Sequence, residues 1–192
     1  MRAALADLQA EPIYFPALSP AALLAGHACQ FRCLAAGLNE FRIDVMHRLR
    51  GAAPFAKLWQ RRKRVPVPGV GVIPVMAIED LVVVKKTQRD KDWPMVRRLI
   101  EADVANTPRR TSSKLQFWLR QCRTPELLVQ LASAHGAIAR GIVRHRPLLR
   151  QALRGDVEAV ARELRKEEDA ERALDREYWR PLRAELERWR QG

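Results

Sequence analysis

The chain has 192 residues, 47% of them hydrophobic, and a formal charge of +13 from 35 Lys and Arg against 22 Asp and Glu. That apolar share is enough for a core, which excludes a disordered chain, and the length fits one domain or a domain with a helical appendage. Arg2-Ala3-Ala4-Leu5-Ala6-Asp7 is too short for a secretory apolar region, and no uncharged apolar run nears the roughly 18 residues of a membrane span, so a cytoplasmic protein with no membrane association is expected.

Residues 1–10 read as a short helix and residues 11–16 as an extended piece. Ser19-Pro20-Ala21-Ala22-Leu23-Leu24 has the cap and the first-position proline of a helix start. Residues 28–34 alternate as a strand, Gly37-Leu38-Asn39 is a turn, and residues 40–47 form a second strand. Its Phe41, Ile43 and Val45 share one face, and Arg42, Asp44 and Met46 share the other, so a hairpin is predicted. Residues 54–62 read as a helix carrying Phe55, Leu58 and Trp59. Val65-Pro66-Val67 and residues 70–77 are strands around a Pro68-Gly69 turn, the prolines marking the first as an edge.

From Glu79 onward the signals are helical. Asp90 or Asp92 is a candidate cap for a helix with Pro94 in its first turn, since a proline deeper in would be costly. Thr107-Pro108 is the expected boundary between an α+β domain (residues 1–106) and an all-helical C-terminal region (residues 107–192). There Thr124-Pro125-Glu126 starts one helix, and Gly155-Asp156 ends one and caps the next. Val157, Val160, Ala161 and Leu164 form one apolar stripe, and Leu174, Tyr178, Leu182, Leu186 and Trp189 another. The charged stretch 165–172 reads as a solvated middle between two docked ends, with Pro181 kinking or breaking the helix. The expected fold class is α+β, with a small mixed β-sheet and flanking helices followed by the helical tail.

The positive charge is concentrated. Residues 45–78 contain no acid, yet carry Arg48, Arg50, Lys57, Arg61, Arg62, Lys63 and Arg64. Such a field favours polyanions: nucleic acid, nucleotide phosphates or an acidic partner. An Arg-rich codon bias would raise the overall charge without any function. Cys29, Cys33 and Cys122 read as reduced thiols. Cys29 and Cys33, four apart on a strand, stand about 13 Å apart, too far to share a metal. The five tryptophans fall on apolar helix faces and read as core.

Two stretches carry chemistry. Asp44, flanked on its strand by Ile43 and Val45, must reach solvent, a cation or hydrogen-bond donors, because an unpaired buried carboxylate is prohibitive. In Asp80-Leu81-Val82-Val83-Val84-Lys85-Lys86-Thr87-Gln88-Arg89-Asp90-Lys91-Asp92, a continuous helix places Leu81, Lys85 and Arg89 on one stripe. On spacing alone this is a solvated charged face, and Arg89 with Asp92 equally reads as a structural pair.

Together these motifs, over roughly residues 26–104, resemble the nucleotidyltransferase fold of the type found in abortive-infection toxins and their bacterial relatives. The resemblance implies Asp44 as a metal ligand for magnesium and a catalytic carboxylate. It implies Lys85 as a catalytic, phosphate-binding cation, Arg89 and Lys91 on phosphates, and Asp92 orienting Arg89. The implied reaction moves a nucleotidyl group from a nucleoside triphosphate to RNA or protein. The chain departs from the pattern in having no Gly-Ser pair and no strand-borne Asp-x-Asp ahead of Asp44. Residues 1–40 supply only Asp7, Glu11 and Glu40 as acids. The expectation is therefore a nucleotidyltransferase-like protein, N-terminally incomplete or degenerate, that binds nucleoside triphosphate or RNA. The alternatives are a non-catalytic nucleic-acid-binding module using the seven cations of residues 48–64, and a toxin–antitoxin-type protein that docks an antitoxin-like partner through its charged tail.

Overall fold

The computed structural model describes residues 1–38 and 41–191. Asn39 and Glu40, assigned above to a turn and a strand, lie outside the described residues. The chain is α+β and forms two compact units: Met1–Ala56 with Glu177–Gly192, and Lys57–Arg176. No described helix is long and apolar enough to cross a membrane.

In the first unit, helix α1 (Arg2–Asp7) ends earlier than expected. Gln9 takes φ 47° and turns the chain into strand β1 (Ala10–Pro12). Helix α2 (Pro20–Ala25) is built as its sequence dictates. The Ser19 hydroxyl accepts from Ala22 N at 3.1 Å, and Gly26 closes the helix at φ 107°, a conformation costly for any residue with a Cβ. Strands β2 (Cys29–Cys33) and β3 (Arg42–Val45) pair antiparallel, with Phe31 opposite Ile43 and Gln30 opposite Asp44. Strand β1 pairs antiparallel on the other edge of β2. Alternation buries Cys29, Phe31 and Cys33, and Leu5, Ala22, Ile43 and Val45 complete this core.

The second unit begins within helix α3 (Phe55–Arg61), which buries no residue. Strands β4 (Lys63–Val67) and β5 (Gly71–Val75) form a hairpin around Pro68-Gly69, with Gly69 at φ 76° and Val70 N donating to Val67 O at 3.0 Å. The expected single mixed sheet is thus two antiparallel sheets of three and two strands. The physical reason is local: a tight turn makes β4 and β5 each other's partner, and residues 46–62 supply no strand to join them to β3.

Helices α4 (Ile78–Val84), α5 (Asp92–Asn106), α6 (Ser112–Gln121), α7 (Pro125–Ala134), α8 (Gly136–Ile142) and α9 (Leu149–Leu153) follow. Helix α10 (Val157–Gln191) supplies its first part here and its last part, from Glu177, to the first unit. One core runs through Val82, Val96, Ile100, Trp118, Leu119, Leu128, Leu149, Val160 and Leu164. Each such side chain contributes roughly 1.5–3 kcal/mol on burial. Because α5 and α6 share this core, the 106/107 boundary read from sequence lies inside the second unit. Trp118 is anchored by its indole N–H, which donates to Asp103 Oδ2 at 2.7 Å. Asp156 caps α10, accepting from Ala159 N at 2.8 Å.

Pro181 does not break α10. Beyond it, Leu182 lies over Gly26, and Glu185 Oε2 stands 3.0 Å from Nε2 of the buried His27. Trp189 meets the His27 ring at a tilt and the Phe15 ring edge-on, with centroids 4.9 and 5.6 Å away. Trp93 and Trp118 are core residues as expected, whereas Trp59 and Trp189 keep substantial exposure.

Candidate functional site

Helix α4 ends at Val84, so Lys85 and Arg89 do not ride on a helical stripe. Pro94 explains the break. A helix running through it would lose the Pro94 N–H and set the ring against the Asp90 carbonyl, so the chain makes a turn over residues 85–91 and restarts at Asp92.

That turn is assembled around one carboxylate. Asp92 is only 2% exposed. Its Oδ2 accepts from the Thr87 hydroxyl at 2.6 Å and from Arg89 Nε at 3.1 Å, and its Oδ1 lies 3.6 Å from Lys85 Nζ. Arg89 N donates to the Thr87 hydroxyl at 3.1 Å, and Trp93 Nε1 donates to Thr87 O at 2.9 Å. Burial pushes the Asp92 carboxyl up, but the Thr87 hydroxyl and the Arg89 and Lys85 cations outweigh it and hold the carboxyl below its usual value. Helix α10 braces the other side: Asp175 Oδ2 accepts from Gln88 N at 2.9 Å, and Arg172 pairs with Asp90.

Of the residues read from sequence, this turn therefore joins Lys85, Arg89 and Asp92. The Arg89 side chain is 59% exposed despite its ion pair, so its remaining guanidinium donors face solvent from a fixed position. Lys91 is exposed beside it. Asp44 is exposed on β3 of the first unit, whereas the Asp92 turn belongs to the second. Among the described residues no group of three or more His, Cys, Asp or Glu could hold a metal ion.

The basic segment divides by partner. Arg61 is held by Asp80 through Nε to Oδ2 at 3.1 Å and Nη2 to Oδ1 at 2.5 Å. Arg62 lies over the Trp59 ring at 4.1 Å and donates to Trp59 O at 2.6 Å. Lys57, Lys63 and Arg64 are exposed on α3 and β4, and Arg48 is exposed in the first unit with Arg50 close by in sequence.

A second polar cluster was not legible in the sequence. The stretch expected to be a solvated middle of α10 instead sets Glu167 against the buried Arg123 and Arg146, and buries Glu168. Glu167 accepts from Arg123 Nη1 at 2.5 Å and from Arg146 Nε and Nη2 at 3.2 and 2.9 Å. Arg146 also donates to the carbonyls of Leu119 and Cys122 at 2.8 and 2.9 Å, satisfying the open C-terminal end of α6. Glu168 pairs with Arg97 at 2.8 Å. Thr124, expected to cap α7, spends its hydroxyl on Glu101 at 2.5 Å.

Comparison of the chain with protein-family models, with curated proteins and with solved structures finds no match.

Proposed function

We propose that the protein is nucleotidyltransferase-like and binds the phosphates of a nucleoside triphosphate or RNA through Arg89 and Lys85, with Lys91 at the margin. The observation that supports this is the buried Asp92, which fixes a half-exposed Arg89 and Lys85 on the same turn. A guanidinium whose Nε is already tied presents its terminal N–H groups at a defined angle, so less side-chain entropy is lost when phosphate binds. Asp44 is the carboxylate for magnesium in this reading, and a complete two-metal centre needs acids beyond it.

Titration calorimetry with a non-hydrolysable ATP analogue and magnesium tests the reading. Arg89→Ala and Lys85→Ala are expected to weaken binding about tenfold each, and Asp44→Ala to remove its magnesium dependence. Binding unchanged in all three variants sinks it.

A second reading is favoured by a separate observation. Strands β4 and β5 are exposed on nearly every residue, with Lys63 and Arg64 beside exposed Val65, Val72 and Ile73. An acid-free basic ribbon of this kind suits nucleic-acid backbone contact without catalysis. RNA binding that falls steeply with salt, ignores magnesium and drops on Lys63→Ala with Arg64→Ala supports this reading over the first.

A further inference from the structure

Strands β4 and β5 make a two-stranded ribbon that contributes none of its residues to either hydrophobic core, and none of them is buried. The pairing register sorts the side chains onto two faces. Lys63, Val65 and Val67 share one face with Ile73 and Val75, and Arg64 and Pro66 share the other with Val72 and Pro74. Each face therefore has one cation at its root and only apolar groups toward the tip. From residue 65 to residue 75 no side chain carries a charge, an amide or a hydroxyl. The tip is the Pro68-Gly69 turn followed by Val70, which is 70% exposed.

A hairpin of this size is marginal in water by itself, and the exposed Val65, Val70, Val72 and Ile73 are what a partner would cover. A further strand cannot add at either edge. A proline in a paired strand sits where its nitrogen faces away from the partner strand, and Pro66 and Pro74 put one such blocked position on each outer edge. A second copy or a globular partner needs about 800 Å² per side. Five residues at about 3.3 Å each, on two strands together about 10 Å wide, give a face of only about 170 Å². A lipid surface is gripped by aromatic and leucine side chains, and the ribbon has none. The charge points to a polyanion: residues 45–78 hold no acid, and Lys63 and Arg64 stand exposed at the root.

We propose that the β4–β5 ribbon is an arm that enters the minor groove of duplex DNA, sets Lys63 and Arg64 against the flanking phosphates, and wedges Pro68 and Val70 between base pairs, bending the duplex. This rests on the nucleic-acid reading of the same ribbon and adds the duplex, the groove and the bend. Side-chain chemistry makes the choice. The major groove is read by hydrogen-bonding side chains, which residues 65–75 lack. Single strands are held by aromatic stacking, and no aromatic lies on the ribbon. Minor-groove architectural proteins instead insert apolar wedges, proline and branched aliphatics among them, and offset the unstacking with added backbone contact. Such an arm reads flexibility and not sequence, so pyrimidine–purine steps are its expected seats.

Energy transfer between dyes at the two ends of a duplex of about 30 base pairs with a central TA step, titrated with the full chain, tests it. Saturation is expected to raise the transfer, because a bend of about 20–90° brings the ends together. Val70→Ser should return the saturated signal to near that of the free duplex. Val70→Phe should raise it further, a gain that a misfolded protein cannot mimic. Lys63→Ala with Arg64→Ala should weaken binding about tenfold and leave the bend at saturation in place. Binding of duplex or of RNA without a bend, or a bend that Val70→Ser leaves unchanged, overturns the wedge and leaves backbone contact alone. No binding of either nucleic acid removes the underlying reading as well, and capture on phosphatidylserine vesicles with none on duplex assigns the ribbon to a lipid surface instead.

Discussion

The protein handles positive charge in two opposite ways. Among the helices of the second unit, Arg123 and Arg146 are buried and locked by Glu167, with Arg146 also spent on the end of α6. Between residues 45 and 78 there is no acid at all, and Lys57, Lys63 and Arg64 stand in solvent beside exposed apolar side chains. Sequence composition counts the two sets alike. Physically they differ: the buried arginines are part of the structure, while the exposed ones cost little to keep and remain open to a polyanion. The Asp92 turn lies between these extremes, with a buried carboxylate holding cations that still reach water.

The sharpest way to break this comparison is to remove the shared carboxylate. Glu167→Ala leaves two buried guanidiniums uncompensated, and urea denaturation should show a loss of about 3–5 kcal/mol. If the loss is within a few tenths, the triad is not structural. Next in size is the pH response of Lys86. Its folded-state value, about 8, lies below the ordinary 10.5. Between those values the unfolded chain binds more protons than the folded one, so stability should rise with pH, by up to about 3 kcal/mol, and flatten in Lys86→Met.

Asp92→Ala should cost about 1–3 kcal/mol by stranding Thr87 and Arg89. The Asp92 carboxyl is held below its usual value, so its contribution is present above the ordinary Asp range and is lost as pH falls through the lowered value. On acidification the wild-type chain should therefore lose more stability than Asp92→Asn, which has no carboxyl there to protonate. The smallest stability effect belongs to the exposed set. Lys63→Ala with Arg64→Ala should change stability by no more than about 0.5 kcal/mol, yet reduce the salt slope of RNA binding by about 2 if both touch phosphates.

How much of this was legible beforehand follows from the range of each interaction. The Ser19 cap, the Pro68-Gly69 turn and the Asp156 cap were readable because each is completed within a few residues. Strand β2 was readable because alternation reports its own two faces. The Asp92 turn was half-legible: a helix restart with Pro94 in its first turn was one of the two readings, and the other, a continuous helix, was the wrong geometry for Lys85 and Arg89. Pro94 held the correcting signal, and the Thr87 and Trp93 bonds that shape the turn left none.

The sequence by itself determined the α+β class, the starts of α2 and α10 at Ser19 and Asp156, and the acid-free basic stretch, since propensity, capping and charge are local properties of the chain. Tertiary structure alone decided which charges are spent. Arg123 meets Glu167 across 44 positions and Gln88 meets Asp175 across 87. No periodicity within either segment encodes a partner that only packing brings within hydrogen-bond reach.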